Sequence, residues 1–276
     1  MSYRLLTAPL LLVSLPAFAQ ESLPAPEELK TTMVTVGIGV ARIPDYDGAR
    51  ESRWSPVPGV RASIDGMSFT LAGNRGWADL VPDNRGTKGI DWQLGPVFNI
   101  NLSRAQTVKD ARVAALGKVP IALEAGVQAG IGYQGLITSD FDKLTFQVAY
   151  VHDVGGVHKS YVVTPAVNYA TPLSRKALVY FSLSGDYAGG AYARRYFGVS
   201  PAGAVASGLP AYSLGSGWKD WSVGSLFDVS LTGDLTGGIQ LVGGGAYTRM
   251  VGDFAKSPVT RSRDQWIGAL GLAYTF

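Results

Sequence analysis

The 276-residue chain contains no cysteine, which removes disulfides, thiolate nucleophiles and cysteine-ligated metal centres. That absence fits an exported protein that carries out no redox chemistry. Histidine is almost missing as well, with only His152 and His158. Charged residues make up 16% of the chain, against roughly 25% in ordinary soluble domains. The formal net charge of +3 is far too small to suggest a nucleic-acid partner. Beyond the N-terminus there is no run of about 18 uninterrupted apolar residues, so no transmembrane helix is expected.

What the chain does have is glycine and aromatic residues: 35 Gly, 13 Tyr and 6 Trp, with a slightly positive mean hydropathy of +0.13. Arg4, the apolar run Leu5–Leu15 and the small-x-small triplet Ala17-Phe18-Ala19 read as a secretory signal peptide over residues 1–19. No cysteine follows the cleavage site, so a lipoprotein anchor is excluded. Residues 20–30 are polar and carry prolines, as expected of a periplasmic N-terminal segment. From residue 31 to 276 the chain reads as one β-barrel.

That reading rests on a period of two. In the last eleven residues Trp266, Leu270, Leu272, Tyr274 and Phe276 point one way, and Ala269, Gly271, Ala273 and Thr275 the other. One large apolar face and one small face suit a wall between lipid and a crowded interior. The same alternation recurs in Val34–Ala41, Trp92–Leu102, Ile121–Tyr133, Leu144–Tyr150, Tyr161–Tyr169, Val179–Tyr187, Trp221–Leu231 and Ile239–Tyr247. Adding the weaker segments Trp54–Ser63, Met67–Ala72 and Trp77–Val81 predicts an all-β, transmembrane, antiparallel up-and-down barrel of about 12 strands. If the short pair around Asn74 merges, the count falls to ten. Twelve strands give a consistent parity. Compact links (Ile64–Gly66, Pro82–Gly89, Gln134–Asp142, Thr171–Lys176, Gly233–Thr236) fall at one end. The long ones (Ile43–Arg53, Arg104–Val119, Gly189–Gly217, Met250–Asp264) fall at the other. A soluble β-sandwich would place charge on the second face. Here that face is Gly, Ala, Ser, Asn and Gln, and almost no Lys or Arg is expected within the strands.

Little in the chain suggests chemistry. His152, Asp153, His158 and Ser160 hold the residue types of a hydrolytic triad, but no nucleophile elbow accompanies them. The simpler reading is a hairpin with Gly155-Gly156 at its tip. Asp91, Glu124, Asp186 and Asp228 are expected on inward faces, where acids pair with Arg or Lys or line water. Gly243–Gly245 lies mid-strand with no following helix, unlike a phosphate loop. No catalytic, cofactor-binding or metal-binding residues are expected, and no cofactor. Loop cations such as Arg104, Lys109, Arg112, Lys118, Arg194, Arg195, Lys256, Arg261 and Arg263 suit contact with lipopolysaccharide phosphates or simple solvation.

Several loop segments carry a family likeness. Pro44-Asp45-Tyr46-Asp47-Gly48, Leu94-Gly95-Pro96 and above all Tyr196-Phe197-Gly198-Val199-Ser200-Pro201 resemble the MltA-interacting protein (MipA)/OmpV family of Gram-negative outer membranes. So do Ser207-Gly208-Leu209-Pro210-Ala211-Tyr212, Gly217-Trp218-Lys219-Asp220, Gly252-Asp253, Ser257-Pro258 and Ser262-Arg263-Asp264-Gln265. The resemblance implies a non-enzymatic outer-membrane scaffold linking a lytic murein transglycosylase to a bifunctional murein synthase. A narrow channel for small solutes and a surface adhesin are the alternatives. Tyr196, Phe197 and Tyr212 are expected to pack together as a small lid over the barrel mouth.

Overall fold

The computed structural model of the chain describes residues 32–83 and 87–276; the signal peptide and the 20–30 segment lie outside them. Twelve antiparallel strands close into a barrel in simple sequential order. They are β1 (Thr32–Pro44), β2 (Ser52–Ile64), β3 (Met67–Ala72), β4 (Arg75–Asp79), β5 (Gly89–Asn101) and β6 (Ala122–Gln134). β7 (Lys143–Asp153), β8 (Tyr161–Ser174), β9 (Ala177–Ala188), β10 (Gly217–Ser230), β11 (Gly238–Met250) and β12 (Asp264–Thr275) complete the wall. The short pair around Asn74 does form two strands, which excludes the ten-strand count.

Side chains alternate as the period of two requires. Val36, Ile38, Val40, Trp92, Leu94, Phe146, Leu270 and Leu272 face outward and are exposed, as a lipid-facing surface must be. The closing seam is held by the terminal strand. β1 pairs β12 from Thr35↔Thr275 to Arg42↔Gly268, and the Phe276 N–H donates to the Val34 carbonyl at 2.9 Å. Glycine lets the seam close tightly, since a Cβ on Gly39 would lie 2.7 Å from the Leu270 carbonyl oxygen. On β6 a Cβ at Gly126 would drive into the Tyr150 carbonyl.

Three expectations need correction. Thr171–Lys176 is mostly strand: β8 runs to Ser174 and β9 starts at Ala177, leaving a tight turn whose register shift lies between Pro172 and Ser174. β4 starts two residues before the expected Trp77, because Arg75 continues the ladder opposite both Ala72 and Asn99. Strand cations are also more frequent than expected, since Arg42, Arg53, Arg61, Arg75, Lys143, Lys219 and Arg249 all lie in strands. Lys143 and Lys219 are accommodated inside because carboxylates meet them there.

The start of β1, the end of β12 and the β2–β3, β4–β5, β6–β7, β8–β9 and β10–β11 links lie at one end. The other end carries four short helices: α1 (Ala111–Ala114), α2 (Gly190–Phe197), α3 (Pro201–Ser207) and α4 (Gly252–Lys256). Two of these helices begin at side-chain caps. Asp110 caps α1 through the N–H groups of Arg112 and Val113, and Ser200 caps α3 with Pro201 at its first position.

Candidate functional site

The long loops fold inward and close the barrel at their end. Tyr192, Tyr196 and Phe197 on α2 are fully buried, together with Phe254 on α4. They pack on Val97, Ala149, Val151, Val162 and Ala188, the inward-facing residues of β5, β7, β8 and β9, and on Met250 at the end of β11. The Phe197 and Phe254 rings meet edge to face at 5.1 Å. A second apolar cluster of Tyr46, Ala49, Val108, Val113, Val199, Leu209 and Val259 lies against it, with Tyr212 touching both. The expected lid is thus one corner of a larger cap drawn from five loops.

Polar contacts fasten these loops to one another. Arg104, buried, donates to the Tyr196 carbonyl at 3.1 Å and the Gly117 carbonyl at 3.0 Å. The Tyr46 hydroxyl donates to the Val259 carbonyl at 3.1 Å, Tyr212 to that of Asp253 at 2.8 Å, and Ser257 to that of Phe197 at 2.6 Å. Arg261 pairs with Asp110 at 2.7 Å. Burial pushes the Tyr46, Tyr192 and Tyr196 phenols above their ordinary range, with neighbouring carboxylates adding to the effect, so all three stay protonated at neutral pH; Tyr46 and Tyr192 donate, while the Tyr196 hydroxyl finds no partner among the described residues.

Two polar clusters join the cap to the wall. Glu124 on β6 faces inward opposite Asn99. It accepts from Asn99 at 2.8 Å and Asn101 at 3.0 Å, and its Oε1 lies 3.1 Å from His158 Nε2. The His158 ring meets Tyr192 at 5.1 Å and Tyr196 at 5.8 Å, both edge-on. The second cluster centres on Lys219, whose Nζ lies 3.0 Å from Asp186, 3.2 Å from Asp220 and 3.5 Å from Asp47. Asp47 also receives the Tyr192 hydroxyl at 3.4 Å, which ties the first loop to α2.

The other candidates disperse. His152 is on the outward face of β7, opposite Ala125 and Tyr161, whereas His158 is buried inside, so the two do not meet. Asp153 Oδ2 accepts from the backbone N–H groups of His158 and Lys159, at 2.6 and 2.8 Å, while its buried Oδ1 finds no partner among the described residues. These contacts make the 153–160 segment a structural loop; no triad forms among the described residues. Asp91 pairs with Lys143 at 2.6 Å, and Asp79, Asp83 and Asp91 bring three carboxylate oxygens within 4.8 Å of one another with Lys143 as their counter-ion. Asp228 is half-buried, and its Oδ1 finds no partner among the described residues. The glycine run 243–245 lies within β11, as expected. Below the cap the interior keeps space: Leu226 and Ile267 face inward yet are 41% and 39% exposed.

A strand-built, lipid-faced wall closed at one end by an inward-folded cap defines the class, a plugged transmembrane β-barrel of the outer-membrane type. The profile described as "MltA-interacting protein MipA" matches residues 36–276, nearly the whole chain, and the chain belongs to that family. No curated protein matches it. Among solved structures it is similar to the COG4313 outer membrane channel from Pseudomonas putida F1 (11% identity, TM-score 0.42, 94% of this chain and 98% of that one). It is also similar to an anion-selective porin from Comamonas acidovorans (12% identity, TM-score 0.35, 89% and 99%).

Proposed function

We propose that the protein is a non-enzymatic outer-membrane adaptor for peptidoglycan-remodelling enzymes, exported with cleavage after Ala19. Its partners would be a lytic murein transglycosylase and, through it, a bifunctional murein synthase. The transglycosylase reading draws on the family's description, which names an MltA-interacting protein. The observation that carries the adaptor reading over a channel is the cap. Apolar packing of Tyr192, Tyr196, Phe197 and Phe254 against the inner face of β5, β7, β8 and β9 and the end of β11 fills that part of the mouth, which disfavours a wide aqueous path there. The opposite end would face the periplasm. It offers an open depression of about 560 Å³ between the β8–β9 and β10–β11 turns, lined by Arg175, Lys176, Asp234 and Thr236 among others. With residues 20–30, those turns are the surface available to a periplasmic enzyme.

The test is capture of purified transglycosylase by the purified full-length barrel. Retention that falls when Arg175 and Lys176 are both changed to Ser, or when residues 20–30 are replaced by a Gly/Ser linker, supports the reading. Absence of capture by the unaltered protein contradicts it.

A further inference from the structure

On the lipid-facing side of β10, β11 and β12 the register lays down two adjacent rows near the capped end. Trp221, Arg249 and Asp264 form the outermost row, with Val223, Tyr247 and Trp266 beneath it. The Trp221 and Tyr247 ring centroids are 5.5 Å apart, and those of Tyr247 and Trp266 4.8 Å. Aromatic side chains packed in this way on the outward face mark the level where hydrocarbon gives way to headgroups. Immediately above them a cleft of about 300 Å³ opens between the end of β11, α4 and the chain leading into β12. Three cations line it, Arg249, Lys256 and Arg263, over an apolar floor that includes Met250, Val251 and Ala255.

The cations are available. Arg249 pairs with Asp264 at 2.7 Å and Lys256 with Asp253 at 3.0 Å, but both pairs are about half exposed or more. Exposed pairs of this kind exchange readily for a better partner. Arg263 donates only its Nε, to the Ala255 carbonyl at 3.2 Å, and makes no ion pair among the described residues. Its fork of terminal N–H groups suits a phosphate.

We propose that this cleft binds the phosphate group of an outer-leaflet glycolipid whose acyl chains lie along the Trp221–Tyr247–Trp266 face. This rests on the outer-membrane placement proposed above, and not on the adaptor role. The cations supply charge and donors, and the aromatic face beneath supplies apolar contact that a free anion cannot use. The two requirements meet in a phosphorylated lipid.

Native mass spectrometry of the full-length barrel in detergent tests the assignment, using as probes lipid A with both phosphates, dephosphorylated lipid A and inorganic phosphate. Saturable binding of phosphorylated lipid A is expected, about fivefold weaker in Arg249→Gln and in Arg263→Gln. Dephosphorylated lipid A should bind more weakly by a similar factor. Lys88→Gln, which removes an exposed cation at the opposite end, should leave binding unchanged. The proposal is overturned if an R249Q/K256Q/R263Q variant holds lipid A as well as the unaltered protein, or if K88Q loses as much. Inorganic phosphate binding as tightly as lipid A would also overturn it, making this a free-anion site. Placement is read separately. Val205 on α3 is 89% exposed, and the chain has no cysteine, so Val205→Cys should react with an impermeant maleimide on intact cells.

Discussion

Glu124 carries the polar joint between wall and cap, because two asparagines and a histidine all converge on its two oxygens. An amide cannot accept from all three. Glu124→Gln should therefore cost about 1–3 kcal/mol and show as faster protease cleavage of the 153–160 loop. A second carboxylate sets an acid limit. Asp142, in the β6–β7 turn, accepts from the N–H groups of Leu136 at 2.8 Å, Ile137 at 2.9 Å and Thr138, and from the Tyr169 hydroxyl at 2.9 Å. Burial alone pushes its carboxyl up, but these donors outweigh it and hold it below the usual carboxylate range. A depressed value means its contribution is complete above the unfolded value of about 4 and is lost as pH falls through the folded one. Protease resistance of the turn should accordingly drop at acid pH in the native chain, and Asp142→Asn should flatten that dependence. Equal slopes in the two proteins would remove Asp142 from the account.

Among the elements, strands were legible and helices were not. A strand of about 12 residues repeats a period of two several times, so Val34–Ala41 or Ile121–Tyr133 declares its two faces without help. α1 to α4 span four to eight residues, too short for a 3.6-residue period to show, and only caps such as Ser200-Pro201 and the left-handed Gly208 mark them. The cap was legible in part. Tyr196, Phe197 and Tyr212 stand out as aromatics between prolines and glycines. The Arg104–Tyr196 and Tyr46–Val259 bonds join loops far apart in sequence, and no local pattern encodes them. Truncating Phe197 to Ala should cost about 3–5 kcal/mol of local packing, read as protease sensitivity of the 189–217 loop with the barrel still heat-modifiable on gels. Gly126→Val acts on the wall instead. A side chain there meets the Tyr150 carbonyl, so heat-modifiable folded barrel should be strongly depleted.

At the scale of the molecule, the wall and the cap have different consequences. The wall follows from alternation and closure, and its terminal strand supplies the seam with β1. The cap decides what the wall is for. Its apolar residues each contribute about 1.5–3 kcal/mol of burial, enough to keep the loops inside the mouth rather than splayed into solvent. The interior keeps space at Leu226 and Ile267 beneath the packed cap, and the adaptor role proposed above requires that the cap block solute passage. Conductance in planar bilayers tests that claim most directly. The full-length barrel should show no sustained discrete conductance, whereas a variant with residues 190–215 replaced by a short Gly/Ser linker should show steady openings. Steady openings of the unaltered protein, equal to those of the variant, would contradict the account.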